Sequence, residues 1–253
     1  FDYPGMKQIS ESTLGSLSTR MAARPGSDEI WIGSEASNDI IIYSSGRDSI
    51  LGRVNLGVPI GGLAFEASGA RCLVSHGAVL AREKAQPNAT VIDARSRKPM
   101  KAFKVGPGPR GLCFDADPLR AFVANTGGNT ISVLDMAKGF TADSLVVGDA
   151  PQDVALDPAG RWLYVACLGK STPEGREQGE LQIYSLPELT LVASVEAGAH
   201  PSRVSCNPEG DLIVVSDLWI REGDEARVRV FSVAADDRGL PRLGLRHEIE
   251  AGS

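Results

Sequence analysis

Large aromatic side chains are scarce in this chain: 7 Phe, 4 Tyr and 3 Trp stand against 28 Gly and 15 Pro in 253 residues, a balance that points to many turns. Cysteine is equally sparse. Cys72, Cys113, Cys167 and Cys206 show neither CxxC spacing nor the CxxCH of covalent haem, which leaves them as buried free thiols acting as small hydrophobes. No run reaches the 18 apolar residues of a membrane-spanning helix. The start at Phe1 shows no charged segment followed by an apolar one, so any targeting signal is expected to have been removed already. Basic charge is also lacking. With 26 Lys and Arg against 32 Asp and Glu, the net charge of −6 excludes the positive field used to wrap nucleic acid or to hold anionic lipid. Hydrophobic residues at 42% and charged residues at 23% describe an ordinary globular chain, and its length suits a single large all-β domain. GxSxG, HExxH and P-loop motifs are missing. The acidic pairs Asp28/Glu29 and Asp236/Asp237 are neighbours in turns, where their side chains diverge along an extended chain.

What the chain does contain is self-similarity. The apolar anchors Met21, Leu63, Leu112, Val154 and Val204 follow one another at 42, 49, 42 and 50 residues. Eleven residues after each stands a second apolar residue: Ile32, Val74, Val123, Val165 and Val215. Between the members of each pair lies a stretch such as DADPLR, DPAGR or NPEGD, whose residues favour a tight reversal. Each unit reads as four short strands with no 3.6-residue period. In the third unit these are Gly111–Phe114, Ala121–Asn125, Thr130–Asp135 and Ser144–Val147. Repeats of this length that consist only of antiparallel strands bury their faces against one another around an axis. The fold class is therefore all-β, a β-propeller of four-stranded antiparallel blades, with five blades visible.

The blades span about residues 18–58, 59–107, 108–149, 150–199 and 200–253, after an N-terminal segment 1–17. Units averaging about 46 residues leave roughly half a unit over, and Lys7–Ser12 could supply the outer strand of an incomplete blade. Two expectations stay open: a ring of six or more blades completed by further sequence or a second chain, and a five-bladed ring with an N-terminal tail.

The stretch Phe122-Val-Ala-Asn-Thr-Gly-Gly-Asn-Thr-Ile-Ser-Val-Leu-Asp135, preceded by Pro109-Arg-Gly-Leu-Cys-Phe-Asp115, resembles the YVTN repeat of YncE-like bacterial and archaeal propellers. Residues 149–166 resemble it more closely still. The other units depart from the pattern: Asn125 is replaced by Ser34, His76, Cys167 and Asp217, and the closing Asp135 by Ser44, Ser185 and Ser232. The resemblance implies a periplasmic or extracellular location and a non-catalytic scaffold that binds a protein or surface ligand. The alternative is an enzyme, lactonase-like, or the propeller part of a longer haem-containing protein. No cofactor or metal is implied by the residues themselves. His76, Cys167 and Asp217 are ligand types at equivalent positions, but they sit on second strands, about 4.8 Å further from the axis than the first, too widely separated for one coordination shell.

Connections from second to third strands should emerge on the same face as those linking successive blades. They are minimal in units one and three and long in the others, at His76–Ala89, Cys167–Glu180 and Asp217–Ala226. Long loops on a rigid scaffold are where binding determinants usually sit. Arg82, Lys170, Arg176, Trp219 and Arg221 are the candidates there. Nearer the axis, the entries to the first strands are Arg20, Gly61, Arg110, Gln152 and Ser202, with His200 close by. Arg110, Gln152, His200 and Ser202 are expected to form a mouth for a small ligand or anion, or else to satisfy backbone carbonyls around the channel.

Overall fold

The computed structural model describes residues 20–34, 38–77, 88–117, 119–172, 175–176, 178–217 and 227–250. Among them there are strands and turns and no α-helix. Blade 1 comprises β1 (Arg20–Ala23), β2 (Glu29–Gly33), β3 (Asp39–Ser44) and β4 (Ser49–Asn55). Blade 2 comprises β5 (Gly62–Phe65), β6 (Arg71–Ser75), β7 (Asn88–Asp93) and β8 (Lys98–Lys104). Blade 3 comprises β9 (Pro109–Phe114), β10 (Arg120–Asn125), β11 (Thr130–Asp135) and β12 (Phe140–Val146). Blade 4 holds β13 (Pro151–Leu156), β14 (Trp162–Cys167), β17 (Gly179–Ser185) and β18 (Leu191–Gly198), and its loop adds the two-residue strands β15 (Ser171–Thr172) and β16 (Gly175–Arg176). Blade 5 comprises β19 (Pro201–Cys206), β20 (Leu212–Asp217), β21 (Arg227–Ala235) and β22 (Pro241–Glu250). Each blade is one four-stranded antiparallel sheet in chain order.

The eleven-residue spacing has a direct structural meaning. Met21 pairs with Ile32, Leu63 with Val74, Leu112 with Val123, Val154 with Val165, and Val204 with Val215, each as cross-strand partners of first and second strands. The two middle strands of a blade are packed on both faces and so read as continuous apolar runs, as in Ile40-Ile41-Ile42, all buried. The fourth strands face solvent and are mainly exposed, as in β8 and β22. In the structure the fourth strand of blade 3 starts at Phe140, earlier than Ser144, because the ladder resumes immediately after the hairpin turn.

A repeated ion pair locks the turn between first and second strands. The acid just after the first strand accepts from an arginine at, or one residue before, the start of the second: Glu66 from Arg71 at 2.7 Å, Asp115 from Arg120, and Asp157 from Arg161 at 2.8 Å. In the turn closed by Arg161, Gly160 takes φ +69°, a left-handed conformation that other residues adopt only with strain.

Four apolar cores join successive blades. Trp31, Ile40 and Ile42 of blade 1 pack with Cys72, Val74 and Ile92 of blade 2. Phe103 and Leu73 pack with Leu112 and Val123 across blades 2 and 3, Phe122 and Ile131 with Leu163 and Val165 across blades 3 and 4, and Tyr164 and Ile183 with Val215 and Phe231 across blades 4 and 5. Among the described residues no core cluster joins blade 5 to blade 1. Met21 on β1 is 72% exposed and Ile249 on β22 is 53% exposed.

The connections between blades lie beside those between second and third strands. The Leu56 N–H donates to the Asn38 carbonyl at 3.0 Å, the Thr126 N–H to that of Gly108 at 3.0 Å, and the Leu168 N–H to that of Ala150 at 3.2 Å. Both kinds of connection therefore share one face of the molecule, where the long loops also begin.

Candidate functional site

The first strands of all five blades line one axial cavity of ≈ 410 Å³. Its charged residues are Arg20, Asp153 and Arg203, and its apolar wall includes Leu63, Leu112 and Val204. Each charged residue stands one position before the blade's apolar anchor, whereas the sequence expectation, apart from Arg20, lay two positions before it. A β-bulge accounts for the difference. In blade 4, Pro151 opposes Cys167 and Asp153 opposes Ala166, leaving Gln152 as the extra residue; in blade 5, Ser202 is skipped in the same way. The bulge aims the following side chain at the axis.

Gln152 and Ser202 are accordingly buried away from the cavity. Gln152 Nε2 donates to the Ala150 carbonyl at 3.1 Å, and Ser202 Oγ donates to the Ser216 carbonyl at 3.1 Å. Arg110 is half-buried, and its carbonyl accepts from Ser75 Oγ at 2.5 Å; His200 is half-buried in the connection to β19. None of these four lines the axial cavity. Of the loop candidates, Lys170 lines a cavity described below, Arg176 belongs to the short strand β16, and Arg82, Trp219 and Arg221 lie outside the described residues. His76 hydrogen-bonds through Nε2 to Thr90 Oγ1 at 2.7 Å, and burial pushes its imidazole down to about 4, as befits a neutral interior side chain.

Asp153 and Arg203 escaped the sequence reading, although each immediately precedes an anchor. Burial pushes the Asp153 carboxyl up to about 7, against the opposing pull of the Val204 N–H, which donates to its Oδ2 at 3.2 Å, and of the Arg20 charge. This gives a pH dependence of definite sign. An unfolded Asp releases its proton near pH 4, whereas the folded one keeps it until about pH 7. The stability contributed by holding that proton is therefore fully present below about pH 4 and is lost as the pH rises to about 7. Urea unfolding of the native protein should fall in midpoint over this window relative to Asp153→Asn, and the difference should level off above it. Parallel pH profiles for the two proteins would refute the shift.

Two further cavities, ≈ 690 and ≈ 420 Å³, adjoin and share Gln178 and Glu196; the larger lies between blades 4 and 5, the smaller against blade 4 and Asp149 of the connection entering it from blade 3. The larger contains an ion-pair chain. Arg229 bonds Asp217 Oδ2 at 2.8 Å, Glu248 Oε2 at 2.7 Å and the Ala197 carbonyl at 3.1 Å, and Arg227 also pairs with Glu248. The smaller is lined by Asp149, Glu180 and Glu196 with Lys170.

Five antiparallel four-stranded sheets, arranged with their first strands about one cavity, make this protein a β-propeller. No protein-family model matches the chain. Over 105 residues it is 28% identical to Antigen Lp49 of Leptospira interrogans serogroup Icterohaemorrhagiae serovar copenhageni (strain Fiocruz L1-130), a match that covers 39% of this chain and 23% of that relative. Among solved structures it is similar to Kuenenia stuttgartiensis hydrazine synthase, with a TM-score of 0.71 at 18% identity, covering 92% of this chain and 69% of that one. It is also similar to a functionally unknown protein from Desulfotomaculum acetoxidans DSM 771, with a TM-score of 0.67 at 16% identity, covering 91% and 72%. At these identities the structural likeness is one of fold.

Proposed function

We propose that the protein is a non-catalytic, extracytoplasmic scaffold of the YVTN-repeat, YncE-like kind, whose loop-rich face holds a protein or surface ligand. The observation that carries this reading is the common placement of the long connections of blades 2, 4 and 5. They leave from the face on which blade-to-blade and second-to-third connections are hydrogen-bonded together. A rigid platform with its irregular segments gathered on one face suits recognition. The distant likeness to a protein named as an antigen is compatible with a binding scaffold.

The test is to replace residues 78–87, 168–178 and 218–226 by short turns and to compare capture of partners by photo-crosslinkers placed on this face. The expected outcome is a folded protein whose partner affinity has fallen about tenfold or more, equivalent to roughly 1.4 kcal/mol or more. Undiminished capture would overturn the proposal.

A further inference from the structure

We propose that the groove formed by these two adjoining cavities binds a basic polypeptide segment: a Lys or Arg side chain places its cationic head between Glu180 and Glu196, while an N–H of the same segment donates to Asp217. The proposal rests on the reading of the loop-rich face as a binding surface and names the chemistry of its partner.

Glu180 on β17 and Glu196 on β18 are direct cross-strand partners. Like charges in that relation destabilise a sheet. Glu180 is held in place by Gln182 Nε2 at 2.8 Å and by Ser194 Oγ, both neutral donors. Among the described residues neither glutamate makes an ion pair. With Asp149 they set three carboxylates against the single ammonium of Lys170 in the smaller cavity. An arrangement that costs stability in the free protein is relieved by a cation supplied from outside.

An independent observation lies in the adjoining cavity. The Asp217 side chain is only 5% exposed, and Arg229 satisfies its Oδ2, yet its buried Oδ1 accepts no hydrogen bond. A buried carboxylate oxygen without a donor is costly, and a ligand N–H would remove that cost. Phe231 and the 57%-exposed Leu245 line the same cavity and offer apolar surface to the methylene stem of a long basic side chain. Among the described residues no group of three His, Cys, Asp or Glu side chains is arranged to hold a metal ion, so an organic cation fits better. A cationic head and a separate N–H donor, required in two contiguous cavities, are supplied together by a peptide.

Titration with a hexalysine peptide at low and moderate salt tests this, with hexaglutamate as the control of opposite sign. Hexalysine should bind the native protein and hexaglutamate should not. Glu180→Gln and Glu196→Gln should each weaken hexalysine binding about tenfold, the scale of losing one close charge contact at partly exposed sites. Both variants should unfold no more readily than the native protein, because each removes one of two facing like charges. Glu209→Gln, in the β19–β20 turn, should leave the affinity unchanged. Equal affinity across all four proteins, or no binding to the native one, overturns the proposal. Loss of capture on loop shortening together with failed hexalysine binding would reject the groove chemistry alone. Persistent capture by the loop-shortened protein would reject the broader reading instead.

Discussion

Gly111→Ala is expected to lower stability by about 3 kcal/mol or more, at or beyond the upper end of ordinary overpacking. A Cβ at this position would stand 2.0 Å from Asp153 Oδ1, 2.5 Å from Asp153 Cα and 2.8 Å from the Gln152 carbonyl. A flexible side chain can swing aside, but the backbone of β13 cannot, because its bulge is fixed by pairing to β14. The methyl group must therefore push blades 3 and 4 apart where their first strands meet. Gly57→Ala is the matched control. Gly57 has φ +74° with no atom within 4 Å of a Cβ, so its substitution carries only the backbone strain of about 1 kcal/mol. Urea unfolding of the two variants measures the difference, and equal losses would show that the contact with Asp153 is not a close-packed one.

Trp31→Ala should cost about 3–5 kcal/mol, the range for deleting a large buried ring. Trp31 is 0% exposed and packs edge-on against Phe65 of the next blade, with ring centroids 5.2 Å apart. It also does a second task. Its Nε1 donates to Glu29 Oε2 at 3.1 Å, and Glu29 in turn holds Arg24 at 3.1 Å and, from blade 2, Arg97 at 3.0 Å. The ring and the ion-pair cluster thus tie the same two blades. Trp31→Phe keeps much of the packing and loses the donor, and should fall between the native protein and the alanine variant. Thermal unfolding followed by circular dichroism separates the three. An alanine variant as stable as the native protein would mean that blades 1 and 2 are not joined through this side chain.

The repeat was legible in the sequence because cross-strand partners are separated by a fixed loop length. Met21 and Ile32, or Val204 and Val215, are eleven residues apart and face each other across a tight turn. That geometry survives changes in the turn itself. The axial site was not legible, since a single extra residue in β13 or β19 shifts which side chain reaches the axis while leaving the apolar anchors in place. Gln152 and Ser202 looked well placed on a regular strand; the bulge turns them to backbone carbonyls and brings Asp153 and Arg203 forward. The opposition of Glu180 to Glu196 was hidden for a similar reason, because register shifts between Gly179 and Glu180 and between Ile183 and Tyr184 set the pairing of β17 with β18. The β15–β16 hairpin gave no apolar alternation by which to find it, being two residues on each side.

The five positions that precede the anchors are Arg20, Gly62, Gly111, Asp153 and Arg203. Two of them admit no side chain, since a Cβ on Gly62 would fall 2.4 Å from the Arg110 carbonyl and one on Gly111 would strike Asp153. The vocabulary of the central hole is thereby reduced to three letters, spoken by blades 1, 4 and 5 alone. A scaffold assembled by copying one unit consequently has a lopsided interior, cationic at its first and last members, acidic at the fourth and mute at the second and third. Any diversification of that interior has only three doors through which to enter.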